Sequence, residues 1–333
     1  MKIPLEFKLN DQISELIEKI EINKQIIDSV PIPLEVERNI RRKSLLKSSL
    51  FSAQIEGNLL TLDQVGEEVF RDPKEREKRE ISNIIKAINW LKREFDESRQ
   101  MAKKDILKLH QLTMEYLMSE NNLGRFRQER GAIFNQAGMV VYLAPPAKEI
   151  SELIDRLLNY TNSRKEKIVP IKASLAHLSF EKIHPFSDGN GRVGRLLLQA
   201  ILTKDGYRMK DLIVLEEYLN EHRDEYYYFL DGAKKDATEY LQFMLKGIWQ
   251  QSEEVKKAVF EKQQAKPEDS LLPRRLEILN IIRDHKLASF DFIRRRFLRV
   301  NQRTLRYDLK KLADEGYIIK RGKTKGVFYS PKD

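Results

Sequence analysis

The chain has no cysteine and no apolar run approaching the roughly 18 residues of a membrane span. Without cysteine there is neither a disulfide scaffold nor a thiolate metal site, and His110, His177, His222 and His285 show no metal-ligand spacing, so they read as ordinary. No amino-terminal apolar region of the kind that directs export is present, and no internal repeat is visible. These absences predict a soluble, cytoplasmic protein with no membrane partner. At 333 residues, more than one domain is expected.

Excess charge is also missing from most of the chain. From residue 272 to 333 there are 17 Lys and Arg against 7 Asp and Glu, a balance of +10 that equals the net charge of the whole chain. Everything before that point is neutral overall. A stretch rich in Gln, Glu, Lys and Ala, from Gln250 to Ser270, reads as a polar helix running into a linker.

Chemistry is concentrated in one place, His184-Pro-Phe-Ser-Asp-Gly-Asn-Gly-Arg-Val-Gly-Arg195. The residues before it, Ile171 to Phe180, and those after it, Val193 to Leu202, read as helices buried on most sides. The polar segment is therefore a tight loop between two core helices. A helix start offers unpaired N–H groups and a positive dipole end, and glycines there let an anion approach the backbone. Arg192 and Arg195 are three residues apart and can point at one anion. Asp188 is placed to hold Mg²⁺ against phosphates, and His184 to take a proton from a hydroxyl.

This stretch resembles the signature of Fic-domain proteins, His-x-Phe-x-Asp/Glu-Gly-Asn-Gly-Arg-x-x-Arg, at every fixed position. The resemblance implies a protein adenylyltransferase, which moves AMP from ATP to a Ser, Thr or Tyr hydroxyl and releases pyrophosphate. It implies His184 as the base, Asp188 as the Mg²⁺ ligand and Phe186 as a core anchor. Gly189, Asn190 and Gly191 would form the anion hole, and Arg192 and Arg195 would hold the outer phosphates. Val193 and Gly194, between the arginines, belong to the same nucleotide-binding stretch.

A second motif, Ser52-Ala-Gln-Ile-Glu56-Gly57, lies at the end of a helix expected from about Leu34 to Glu56, with Gly57 as its stop. Ser52 and Glu56 share a helix face. The motif resembles the inhibitory Ser/Thr-x-x-x-Glu-Gly/Asn of the same family. That resemblance implies that Glu56 pairs with Arg195 in the place of the ATP γ-phosphate, and that the subclass is the one with an N-terminal inhibitory helix.

Two β-prone runs, Ile133–Asn135 and Met139–Leu143, flank Gln-Ala-Gly and predict a hairpin. It is similar to the family's target-docking flap, following Gly124-x-x-Arg127. Ile133, Phe134 and Asn135 on one strand, with Val140, Val141 and Tyr142 on the other, would hold an extended target segment by strand addition. Tyr226 and Tyr227, in Glu225-Tyr-Tyr-Tyr-Phe, resemble the family's tyrosines near the adenine, though they also suit simple core packing. Lys234 stands where some relatives carry Asn.

The basic C-terminal tail predicts three helices and a hairpin. The first helix runs from about Arg274 to His285, Ser289 caps the second, Asn301 caps the third and Gly316 ends it. Tyr317–Ile319 and Val327–Tyr329 are the expected strands. The order resembles a winged helix-turn-helix domain. Gln302, Arg303, Arg306, Tyr307 and Lys310 on the third helix, with Arg321 and Lys323 in the wing, could meet DNA. The same face could instead dock a protein.

The expected fold is mainly α: a Fic-type helical bundle with a β-hairpin flap, plus a small C-terminal winged-helix (α+β) domain. Residues 1–98 would form a helical region with the inhibitory helix and 99–250 the catalytic core. Residues 251–271 would form an extension and linker, and 272–333 the basic domain. The expected partners are ATP, a target-protein hydroxyl, DNA and a second copy of the chain. Two alternatives stay open: a DNA-binding regulator whose Fic domain senses ATP, and a Fic enzyme that removes AMP.

Overall fold

The computed structural model describes the chain except for residues 63, 66, 72, 96–98, 135–139, 164, 234, 264–270, 272, 299, 323–325 and 333. It is mainly helical and divides into two compact units. One comprises Met1–Pro31 and Ile40–Phe260, and the other Ile32–Asn39 and Glu261–Asp333.

The larger unit is built around α6 (Val169–Ile183), all fifteen of whose residues are buried. Its sequence Val-Pro-Ile-Lys-Ala-Ser-Leu-Ala-His-Leu-Ser-Phe has no polar face wide enough to meet water, so it must run through a core. Ser174 and Ser179 satisfy their hydroxyls on carbonyls one turn back, at 2.8 and 2.7 Å. Helix α7 (Asn190–Lys204) packs most extensively against it, with α3 (Arg76–Glu94), α4 (Lys103–Met114) and α5 (Ala147–Asn162) around the pair. Before them come α1 (Asp11–Ser29) and α2 (Leu34–Ile55) from Ile40 onward, and after them α8 (Leu215–Glu221), α9 (Arg223–Gly232) and α10 (Thr238–Gln263) as far as Phe260.

The short sheet of this unit is the antiparallel hairpin β1 (Ala132–Phe134) and β2 (Val140–Leu143). Its register pairs Ala132 with Leu143 and Ile133 with Tyr142, then shifts before Phe134. Asn135 lies outside the described residues.

Helix α10 runs unbroken through residue 250, because Tyr240, Leu241, Met244, Leu245, Ile248, Val255 and Val259 keep one buried stripe along it. Met1–Pro31 and Ile40–Phe260 cluster together.

The smaller unit contains α11 (Pro273–His285), β3 (Ala288–Ser289), α12 (Phe290–Arg296), α13 (Gln302–Asp314), β4 (Ile318–Arg321) and β5 (Phe328–Pro331). The strands form an antiparallel sheet in the order β3-β5-β4. Ile278, Leu279, Ile282, Ile293, Leu305, Leu309 and Leu312 make its core. Ser289 caps α12 by accepting from the Phe292 amide at 3.2 Å, and Asn301 caps α13 by accepting from Arg303 at 2.8 Å. The strand β3 was not expected: Ala288 and Ser289 pair with Tyr329 and Phe328 on the free edge of β5. No described helix is long and apolar enough to cross a membrane.

Candidate active site

His184 ends α6. It adopts left-handed backbone angles, φ 48° and ψ 60°, and its amide donates to the Phe180 carbonyl at 2.9 Å. That conformation is uncommon for a non-glycine residue, though histidine accepts it more readily than most. The chain then turns through Pro185 and Phe186, which is fully buried. Phe186 stacks on His110 with ring centroids 3.8 Å apart. The Asn190 side chain closes the loop from the far side, accepting from the Phe186 amide and donating to the Phe186 carbonyl, both at 2.8 Å. Its carboxamide is thus committed to shaping the loop. Gly189 starts α7 at φ 82°, where a side chain would be strained and would also strike Met114.

His110, read from the sequence as ordinary, is part of this construction. Its Nδ1 accepts from the Gly124 amide at 2.9 Å, so Nε2 carries the proton and donates to the Asp188 carbonyl at 3.1 Å. Burial pushes its pKa down to about 4, which keeps that tautomer intact at neutral pH. His177 is equally structural. Fully buried, with its pKa pushed down to about 3 by burial, it meets the Tyr226 hydroxyl at 2.8 Å. Beside it Glu181 is pushed up to about 8 by burial, so it is a neutral acid at pH 7. Gly194 lies against this pair, and a Cβ there would come within 2.0 Å of Glu181 Oε1. Val193 is buried in the core. Positions 193 and 194, expected in the nucleotide-binding stretch, therefore face the core.

Arg127 fixes the loop to the hairpin. Its Nε donates to the His184 carbonyl at 2.8 Å, Nη1 to Glu129 at 2.7 Å and Nη2 to Pro145 at 2.7 Å. Its amide also donates to the Pro185 carbonyl at 2.9 Å. Tyr142 donates to the Lys182 carbonyl at 3.0 Å, so it ties β2 to the end of α6. Ile133, Phe134, Val140 and Val141 lie on the hairpin strands, with side chains outside the described residues.

The two arginines of α7 are both paired. Arg195, 2% exposed, donates Nε to Ser52 Oγ at 3.0 Å and Nη2 to the Ser52 carbonyl at 2.8 Å. The same Nη2 reaches Glu56 Oε1 at 2.9 Å. Burial works most strongly against its charge, but Glu56, Tyr226 and Tyr227 together outweigh it and hold the guanidinium above its ordinary pKa. The Glu56 carboxylate rests on the start of α7: a Cβ on Gly191 would meet its Oε1 at 2.2 Å. It is an anion at a helix N-terminus, where the backbone favours one. Ser52 is buried, unlike a surface serine at a helix end, and Gly57 stops α2 at φ 100°.

Arg192 pairs with Glu80 of α3 and donates Nη2 to Asp188 Oδ1 at 3.1 Å. Its Nε is buried with no partner among the described residues. Asp188 also accepts from the Gly189 amide at 2.6 Å and keeps its side chain 58% exposed. Tyr226 is buried, and the Tyr227 hydroxyl donates to the Ile55 carbonyl at 3.3 Å. Lys234 lies outside the described residues.

These residues fit a polyphosphate with a divalent cation. A carboxylate already occupies the mouth of the helix cradle, an arginine nitrogen is unpartnered, and Asp188 offers a hard, solvent-facing oxygen. No cluster of three or more acidic or histidine ligands exists among the described residues, so one carboxylate and phosphate oxygens would have to share a cation. Burial lowers the pKa of His184, with the Glu181 carbonyl partly offsetting it, so the imidazole is neutral at pH 7 and able to accept a proton.

Three comparisons bear on this geometry. Residues 100–202 match the family model described as the Fic/DOC family. The protein adenylyltransferase Fic of Drosophila virilis is 28% identical over 215 residues, covering 62% of this chain and 42% of that protein. The protein of the same name from Drosophila erecta is 26% identical over 236 residues, 68% of this chain and 45% of its own length. The chain thus spans less than half the length of these curated relatives. A Fic family protein from Desulfovibrio desulfuricans G20 superposes with a TM-score of 0.67 at 25% identity, covering 99% of this chain and 98% of that one. The helices that frame His184 and Arg195 therefore lie in a segment similar to the Fic/DOC family.

Proposed function

We propose that the chain is a self-restrained protein adenylyltransferase. In this reading a Ser, Thr or Tyr hydroxyl loses its proton to His184 while its oxygen attacks the α-phosphorus of ATP. The bond to the bridging oxygen breaks and pyrophosphate leaves. The backbone at Gly189 to Gly191 and the guanidinium groups of Arg192 and Arg195 would hold the phosphates as charge moves toward the leaving group. Asp188 would hold Mg²⁺, which would supply positive charge to the phosphates. The hairpin, anchored by Arg127 and Tyr142, would present the acceptor segment beside His184 by strand addition, and Tyr227 would border the nucleoside.

One observation carries the proposal: Glu56 sits on the helix cradle and on Arg195 together, where an outer phosphate would go. The test uses ATP labelled on the α- or the γ-phosphate with the Glu56→Gly protein. Label is expected on protein from the α-position, and to disappear with Glu56→Gly/His184→Ala. Transfer from the γ-position alone would overturn the reading. Loss of AMP from a modified target in the wild type, but not in Glu56→Gly, would instead favour AMP removal with Glu56 orienting water.

The same assay has a predicted pH profile. The base works when unprotonated and burial has lowered its pKa, so the rate should rise with pH through a value below the ordinary 6.5. A plateau by pH 7 is expected. An acid limb centred above pH 7 would show that another group is titrating.

For the smaller unit we infer a winged helix that binds DNA, supported by the concentration of basic charge after residue 272. Gln302, Arg303, Tyr307 and Lys310 are exposed on α13, and Arg321 is exposed on β4. Arg306 is exposed too but lies over the Phe290 ring at 4.0 Å, so it suits a backbone phosphate better than a base edge. Lys323 lies outside the described residues. Binding to genomic DNA fragments should weaken by about 10³-fold or more between 50 and 200 mM salt, if roughly six phosphates are neutralised. A salt-independent retardation, or none, would count for protein docking.

A further inference from the structure

Glu80 belongs neither to the loop from His184 to Arg195 nor to the segment around Glu56, yet it joins them. It projects from the first turns of α3, and its carboxylate pairs with Arg192 Nη1 through Oε1. Its other oxygen, Oε2, accepts from Asn58 Nδ2 at 2.8 Å. Asn58 is the second residue after Glu56 and is 9% exposed. Its Nδ2 also donates to the Glu77 carbonyl at 3.0 Å, and its Oδ1 accepts from the Leu60 amide at 3.1 Å. On the other side of the bridge, Arg192 is 7% exposed and Glu80 keeps only 16% of its side chain in solvent. An ion pair this sheltered is poorly screened and has few alternative geometries, unlike an exposed pair between long side chains.

We propose that Glu80 is a positioning residue that latches the inhibitory turn to Arg192. Residues 52–58 then hold both arginines of α7. Arg195 is held directly, by Ser52 and Glu56, and Arg192 is held through Glu80 and Asn58. The proposal rests on reading Glu56 as the restraint. Its consequence is that the two arginines are released together. When the turn leaves, Glu80 loses the donor that fixes its second oxygen. The carboxylate can then rotate, and Arg192 is no longer held midway between Glu80 and Asp188. While the turn is seated, Glu80 keeps the Arg192 charge from closing fully on Asp188, the oxygen donor proposed for the cation.

A polarity swap tests this. Asn58→Asp keeps the shape of the side chain and the acceptor for Leu60, but sets a carboxylate against Glu80 and against the Glu77 carbonyl. Amide hydrogen exchange at residues 56–58 should rise about tenfold or more, as expected for loss of one hydrogen bond to a charged group. Basal α-phosphate transfer should rise with it, and should gain nothing further when Asn58→Asp is added to Glu56→Gly. The paired variant Asn58→Asp/Glu80→Gln re-forms the bond with donor and acceptor exchanged, and leaves an oxygen for Arg192. Both readouts should return toward the wild-type values. Glu80→Gln alone sets two donors against each other and should open the turn as Asn58→Asp does, which covers a failure of that variant to fold. Wild-type exchange in both single variants, or a paired variant no closer to wild type than either, would overturn the latch. Exchange that rises and is restored while Glu56→Gly transfers no α-label would leave the latch standing and remove the AMP-transfer reading instead.

Discussion

The Glu56→Gly protein is expected to transfer AMP, to targets and to itself, at least about tenfold faster than the wild type. The magnitude follows from what the carboxylate does. It accepts from Arg195 at 2.9 Å, and its side chain is only 26% exposed, so the contact is worth more than a surface ion pair. A hydrogen bond to a charged group contributes about 1.5–3 kcal/mol, a factor of roughly 10 to 150 in the balance between seated and displaced carboxylate. Glycine at this place costs the fold little. Residue 56 already lies beyond the last residue of α2, and the Ser52 contacts to Arg195 remain. A fall of only a few degrees in melting temperature, from the lost Arg195 contact, should accompany the gain. Equal rates in the two proteins, measured with α-labelled ATP, would show that Glu56 restrains nothing.

Arg127→Ala, made in the Glu56→Gly protein, is expected to lower transfer by about 10²-fold, the penalty that misplacing reacting groups by about 1 Å commonly brings. Arg127 touches neither the imidazole nor the cradle. It grips the carbonyl of His184, whose backbone sits in the left-handed region, together with carbonyls on both sides of the hairpin. Removing it leaves three inward-facing carbonyls without their cationic donor and opens the base of the flap. Each such bond contributes about 1.5–3 kcal/mol in isolation, and their shared donor makes a net loss of about 3 kcal/mol reasonable. Melting should fall by several degrees. Arg127→Lys should rescue poorly, because an ammonium cannot span three carbonyls as a planar guanidinium does. Transfer within about threefold of the parent would show that the loop holds its shape unaided.

What could be read from the sequence was local. The loop from His184 to Arg195 is contiguous, and the apolar runs on either side fix its place between two core helices before any coordinates are known. The hairpin and the caps at Ser289 and Asn301 are legible for the same reason, each being set by neighbours within a few residues. The partners that finish the site are not. Glu80, His110 and Glu181 each arrive alone on an amphipathic or buried helix, with no pattern to separate them from any other polar residue there. His110 had one faint signal: with Ile106, Leu109 and Thr113 it lies on the buried face of α4. Glu181 had another, four residues after His177 on a helix with no room for an uncompensated charge. The inward turn of Val193 and Gly194 was likewise hidden, because a consecutive run of signature residues says nothing about which side of the helix each one faces.

The complete burial of α6 has a consequence for where chemistry and control reside. A helix with no solvent face cannot fray or shift without the whole core opening, so His184 is carried by the region expected to exchange its amides last. The segment that holds Arg195 ends in a glycine turn with Leu59 lying 89% exposed beside it. His184, the proposed base, thus rides on the most durable part of the unit, whereas Glu56, the proposed restraint, is attached where local opening is least costly. Such a protein can change its activity many times without unfolding the part that performs it.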